Sequence, residues 1–135
     1  LEFEVHGVPI TQGSKRVGLT RGGRPYMFES NGSRLKDWRK TVTVMAIAHK
    51  RRTFAGACSV TLDFVLPRPK SNRSELPIAQ RSGDIDKLQR ACLDALTDAM
   101  VWYDDAQVTR IEATKVYAPK DAEPGVFVRV KEVGA

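Results

Sequence analysis

Residues 83–108 read GDIDKLQRACLDALTDAMVWYDDAQV. Leu88, Cys92, Ala95, Leu96 and Ala99 recur at three- and four-residue steps, which predicts a helix over Ile85–Met100 with one apolar face. Aspartates stand at both of its ends. Asp84 and Asp86 flank its start, and Asp104-Asp105 follow Trp102 in a turn that leads to a strand over Gln107–Tyr117. One Asp at a helix start is explained as an N-cap. A second, one residue on, is not, because in an extended entry segment both carboxylates point to the same side. If the strand lies beside the helix, the later pair approaches the first. Hard cations such as Mg²⁺ bind through a few carboxylates and keep waters that phosphate oxygens can replace. The competing reading is that these acids are a helix cap and a solvated turn.

Working outward, Phe3, Val5 and Val8, with Glu2, Glu4 and His6 between, predict a strand over Leu1–Pro9. Residues 11–24 are polar, glycine-rich and basic, a loop or loose hairpin, and Arg24–Glu29 reads as a short strand. Start signals at Asn31–Ser33 open a helix to Arg52, with Leu35, Trp38, Val42, Met45 and Ala46 on its apolar face. Its last turn would hold Lys50-Arg51-Arg52, where cations suit the helix dipole. Ala57–Leu66 predicts a strand, as does Gly125–Val133. Between Leu66 and the second helix lies a loop, Pro67–Gly83, long enough to expect a function for it. The sum is one α+β domain over 1–135: two main helices packed on a mixed sheet.

The chain carries 22 Lys+Arg against 16 Asp+Glu, a net charge of +6, which argues for an anionic partner, most often nucleic acid. The excess is uneven: residues 1–52 sum to +7 and residues 53–135 to −1. A basic protein with a local knot of aspartates needs a cation between carboxylate and phosphate. Cys58 and Cys92 lie in apolar contexts and are expected to be free thiols in a reducing cytoplasm. No apolar run has the length of a membrane span, and LEFEVHGVPI does not read as a leader.

The run Asp84-Ile85-Asp86, Leu88, Arg90-Ala91, Asp94-Ala95-Leu96-Thr97, then Trp102-Tyr103-Asp104-Asp105-Ala106-Gln107-Val108, resembles the RusA family of Holliday-junction resolvases. The likeness is strongest over residues 83–115. It extends weakly to Gly7-Val8-Pro9-Ile10 and Gly13-Ser14-Lys15-Arg16. It implies a RusA-like fold and a homodimer that cuts four-way DNA junctions, with Mg²⁺ (or Mn²⁺) held by three aspartates. By match these are Asp84, Asp86 and Asp105, with Asp104 an accessory acid or turn former. The family's catalytic lysine falls on Arg90, while Lys87 stands where the family commonly has Asn. Arginine does not deprotonate and is not equivalent to lysine. The cation that serves catalysis is Lys87 or Arg90, and Lys115 on the next strand is a further one in reach of DNA or of the site.

Lys15, Arg16, Arg21 and Arg24, and the loop cations Arg68, Lys70 and Arg73, are the expected phosphate contacts. Asp94 is read as the intrahelical partner of Arg90, Trp38 as core, His6 and His49 as structural or exposed. The two helices and strand Ala57–Leu66 are the candidate dimer interface. Two other functions remain open: a non-catalytic DNA- or RNA-binding domain, and a flap or branched-DNA nuclease with the same site.

Overall fold

The computed structural model describes residues 1–13, 15–29, 32–70 and 74–134, the side chains of residues 15, 16, 28 and 29 excepted. The first strand, β1 (Glu2–His6), alternates as its sequence requires: Phe3 and Val5 are buried, Glu2, Glu4 and His6 exposed. β2 (Lys15–Leu19) and β3 (Pro25–Glu29) form a hairpin of their own, in register from Lys15↔Glu29 to Leu19↔Pro25. Of the two readings of 11–24, loop or loose hairpin, the hairpin is the one found, and its first strand was not delimited in the sequence. Its exposed residues carry little periodic burial, and Gly23 at φ +80° makes the turn that pairs it.

α1 (Gly32–His49) buries Leu35, Trp38, Val42 and Ala46. It stops short of the expected Lys50-Arg51-Arg52 turn, because these cations are used laterally. Lys50 Nζ donates to Met100 O at 3.2 Å and Arg52 pairs with Glu132 at 3.0 Å. β4 (Cys58–Leu66) is flanked on both sides in the sheet and alternates buried with half-buried residues. α2 (Ile85–Asp98) buries Leu88, Ala91, Cys92, Ala95 and Leu96. It ends two residues before the predicted end, and Met100, at φ +57°, turns the chain away from it. β5 (Val108–Tyr117) and β6 (Gly125–Glu132) complete a sheet of order β1-β6-β4-β5. β4 and β5 are parallel and the other two pairings antiparallel, so the sheet is mixed.

Both helices and the sheet share one apolar cluster that includes Phe64, Leu62, Trp102 and Val128. Burial of each such side chain stabilises by about 1.5–3 kcal/mol. The apolar residues of β4 lie in this core: Val60, Leu62, Phe64 and Leu66 are buried. These four are therefore core residues, whereas Val65, on the other face of the strand, is half-buried. Exposed apolar residues lie on the hairpin (Val17, Leu19, Met27), on α1 (Val44, Ile47) and on the loop before α2 (Leu76, Ile78), among other places. Cys58 and Cys92 are free and buried, as expected, and burial pushes the Cys92 thiol up to about 12. Among the described residues no helix is long and apolar enough to cross a membrane.

A parallel pair needs a crossover, and α2 supplies it. Its start lies by Leu66 and Tyr117, the last residues of β4 and β5, in one cleft. Its end lies near the turn that precedes Val108, the first residue of β5. Any site built at the two ends of α2 is therefore built at opposite ends of the parallel strands.

Candidate active site at the start of the crossover helix

The segment that enters α2 is fixed from three sides. Gly83 turns it at φ +91°, where a Cβ would also stand 2.6 Å from Thr11 Cγ2. Gln12 N donates to Lys87 O at 3.0 Å, which docks the N-terminal loop on the first turn of α2. From below, Lys115 Nζ donates to Gly83 O at 2.8 Å and to Ser82 Oγ at 3.3 Å. Sequence reasoning placed Lys115 within reach of DNA or of the site; here its ammonium is tied to the backbone next to Asp84.

Asp84 holds the N-cap position of α2, with extended backbone, yet its side chain makes no capping hydrogen bond. The ordinary explanation of an aspartate there therefore fails on geometry. Its carboxylate lies 3.7 Å from Lys87 Nζ and faces a cleft of 660 Å³. Arg34, Arg68, Arg81 and Lys87 also line that cleft, against Asp84 as the one acid among the described lining residues. Asp86 is exposed on the first turn of α2.

The other end of α2 is built differently. Asp104 caps the 3-10 turn Asp105–Gln107: its carboxylate accepts from Ala106 N at 2.8 Å. Gln107 Oε1 accepts in return from Asp104 N at 3.1 Å and from Tyr103 N at 2.8 Å. The Gln107 amide donates to Phe54 O and Gly56 O, both at 2.9 Å. Trp102 is fully buried and its Nε1 donates to Thr97 Oγ1 at 2.8 Å. The motif's Trp, second Asp pair and Gln are thus the scaffold of this turn. It leaves Asp105 exposed in a small hollow of 210 Å³ shared with Asp94, Asp98 and Arg39.

Burial, aided by Asp105 and Asp98, raises the Asp94 carboxyl, while Arg39 and Arg90 pull it down. Arg90 thus acts on Asp94 through its charge, without the expected ion pair between them, whereas Lys87 sits beside Asp84. Arg39 pairs with Asp98 at 2.9 Å. The donor chemistry of Asp84, Asp86 and Asp105 is that of a magnesium site. Their arrangement in one chain is not: among the described residues no three His, Cys, Asp or Glu side chains are placed to hold a metal ion. Asp84 and Asp105 line separate hollows.

Of the expected DNA contacts, Arg68 lines the cleft and lies over the Tyr117 ring at 5.2 Å. Lys70, Arg21 and Arg24 are exposed, the last two at the hairpin turn. Lys15 and Arg16 lie on β2 with their side chains outside the described atoms, and Arg73 lies outside the described residues. Arg34, Arg39 and Arg81 were not singled out as site residues. Arg34 and Arg81 belong to α1 and to the loop before α2, and only tertiary packing brings them together. His6 is exposed beside Glu4 and Glu123, and His49 stacks on Phe3 with ring centroids 5.5 Å apart. Trp38 is core, as expected.

Residues 6–131 match the family described as Endodeoxyribonuclease RusA. The chain is also similar to the Crossover junction endodeoxyribonuclease RusA of Escherichia coli (strain K12) and to its namesake from Enterobacteria phage 82. Each is 42% identical over 60 residues, 44% of this chain and 50% of the relative. The chain thus spans about half the length of the curated relatives it matches. With 126 of its residues inside the family match, the chain belongs to the RusA endodeoxyribonuclease family.

Proposed function

We propose that this protein is a structure-selective endodeoxyribonuclease that hydrolyses phosphodiesters of branched DNA and resolves four-way junctions by paired nicks. The observation that carries this reading is Asp84: a carboxylate at a helix start that caps nothing and instead faces a cleft lined by four cations. The names of the relatives, crossover junction endodeoxyribonucleases, support the substrate class. The residues of the chain divide the work. Arg34, Arg68, Arg81 and Lys87 hold phosphate; Lys87 beside Asp84 offsets charge that develops on its oxygens; Lys115 positions the entry segment. Mg²⁺ or Mn²⁺ is the proposed cofactor, with Asp84, Asp86 and Asp105 as its candidate ligands, on the chemistry of the donors.

The test is incubation with a fixed four-way junction, with Mg²⁺ and with a chelator. Paired symmetric nicks in Mg²⁺ alone are expected. Cleavage of flaps but not junctions would make it a flap nuclease. Binding with no cleavage in any metal would favour the second reading, a non-catalytic nucleic-acid-binding domain. One observation speaks for that reading: the three aspartates are not gathered in one chain.

Paired nicking needs two sites, so a two-fold homodimer is proposed. Val17, Leu19 and Met27, each about two-thirds exposed on the hairpin, are apolar surface for such an interface. Light scattering should give twice 15.0 kDa; a mass of 15.0 kDa at all concentrations would exclude a preformed dimer. The buried thiols suit a reducing compartment, the bacterial cytoplasm.

A further inference from the structure

We infer that the cleft at the start of α2 takes one unpaired nucleotide of the bound DNA, its phosphate on the arginines and its base on the apolar lining residues. This rests on the endonuclease reading and names what that site holds. At 660 Å³ the cleft falls in the range of cavities that enclose small ligands, roughly 300–1,000 Å³. Its chemistry has two halves. Arg34, Arg81 and Lys87 give its lining a positive charge that Asp84, the one carboxylate among the described lining residues, does not cancel. Val8, Pro9, Pro67 and Pro69 add apolar surface to the same lining. Duplex phosphates would use only the first half, on a convex backbone that leaves the concavity empty. An extruded nucleotide uses both.

Arg68 contributes both a charge and a flat surface. Its guanidinium lies over the Tyr117 ring at 5.2 Å and its Nε donates to Ala118 O at 3.5 Å. The plane is held before any ligand arrives, and guanidinium planes stack on unpaired bases. Extrusion costs a few kcal/mol in a paired strand and least where the base is already unpaired, as at a branch point. The cleft therefore favours branched over linear DNA by a route separate from overall shape.

The experiment titrates the ¹⁵N-labelled full chain with thymidine 5′-monophosphate, inorganic phosphate and thymidine, and then compares binding of a four-way junction with and without one unpaired nucleotide at the branch, in a chelator. The monophosphate should shift the amides of Thr11, Gly13, Gly83 and Lys87 and bind at least about tenfold more tightly than either half alone. The unpaired junction should bind at least about tenfold more tightly than the paired one. Val8→Trp, which fills the cleft from an exposed position, should lose both preferences while its amide spectrum stays dispersed. Equal binding of phosphate and monophosphate would mean a backbone-only site and overturn the inference, as would a Val8→Trp protein that keeps the preference. The nuclease reading fails separately: nucleotide binding without cleavage refutes that reading alone, and junction cleavage without nucleotide preference refutes the cleft alone.

Discussion

Both ends of α2 carry aspartates, two at its start and four at its end, and treat them in opposite ways. At its start, Asp84 lines a cleft of 660 Å³ with Arg34, Arg68, Arg81 and Lys87. At its end, Asp94, Asp98, Asp104 and Asp105 line a hollow of 210 Å³ with Arg39. Arg39 is already paired with Asp98, and the Asp104 carboxylate is bonded to backbone. A carboxylate already bonded to backbone N–H groups is part of the fold. One left at an N-cap position without that bond is available to a ligand, and the surrounding cations decide that the ligand is an anion, a bridged cation, or both. Asp105 combines the two situations: its backbone is fixed by the capped turn, and its carboxylate remains exposed.

The sharpest way to break this contrast is to remove carboxylates one at a time. Asp86→Asn and Asp105→Asn should each lower junction cleavage by more than about 100-fold with binding retained, since each deletes a proposed metal ligand and relieves repulsion of phosphate. Asp104→Ala should instead cost about 1 kcal/mol of stability, through the lost cap, and lower cleavage far less. Cleavage of a labelled junction and thermal melts read both arms. Near wild-type cutting by either Asn variant would remove that residue from the site.

Lys115 tests whether the start of α2 depends on being held from beneath. Lys115→Met deletes the bonds to Gly83 O and Ser82 Oγ and leaves the cleft's own cations in place. Misplacement of a reacting group by about 1 Å can cost up to about 100-fold, so a fall of about 10–100-fold in kcat is expected with KM little changed. Lys115→Arg should recover part of it. A rise in KM alone would mean that Lys115 contacts DNA directly.

Which parts of this contrast were legible in the sequence follows from the range of the signals. Local periodicity carries an amphipathic helix or an alternating strand, so α2, β4 and β6 were found nearly to the residue, and Asp84, Asp86 and Asp105 stood out by motif. The uncapped state of Asp84 was not legible, because Asp in that position and order is also the commonest cap. Neither was the union of Arg34 with Arg81, 47 positions apart in the chain. The separation of Asp84 from Asp105 was hidden too: spacing places both beside α2, but only the crossover's length and the parallel register of β4 and β5 put them at opposite ends.

Salt dependence should sharpen the comparison further. Replacing Arg34, Arg68 and Arg81 by Gln removes cleft cations. For every phosphate that thereby goes unneutralised, the log–log slope should flatten by about 0.9 if the DNA there is duplex and about 0.7 if it is single-stranded. Arg39→Gln, at the acidic end, should leave the slope unchanged. Equal slopes for the two variants would mean that DNA does not enter the cleft.

The smallest effect concerns the support of the acidic end. Phe54, Ala55 and Gly56 underlie the Asp105 turn: Gln107 holds them from one side and Glu132 from the other. Glu132 Oε2 accepts from Gly56 N at 3.0 Å and from Ala55 N at 3.1 Å, and Arg52 pairs with Oε1 at 3.0 Å. The Gly56 bond first, then Arg52 and the Ala55 bond, hold the Glu132 carboxyl below its usual range. A carboxyl whose pKa is depressed on folding stabilises the fold above its unfolded value, here 4.5, and that contribution is lost as pH falls through the folded one. Glu132→Gln keeps one acceptor and removes the charge. Its melting temperature should lie slightly below wild type at neutral pH, and the two curves should converge as pH falls below 4.5 and the wild-type carboxyl protonates. The start of α2 receives no bond from Glu132, so nucleotide binding to the cleft should be the same in both proteins. A gap that persisted in acid would mean that the carboxylate's charge contributes nothing to holding this segment.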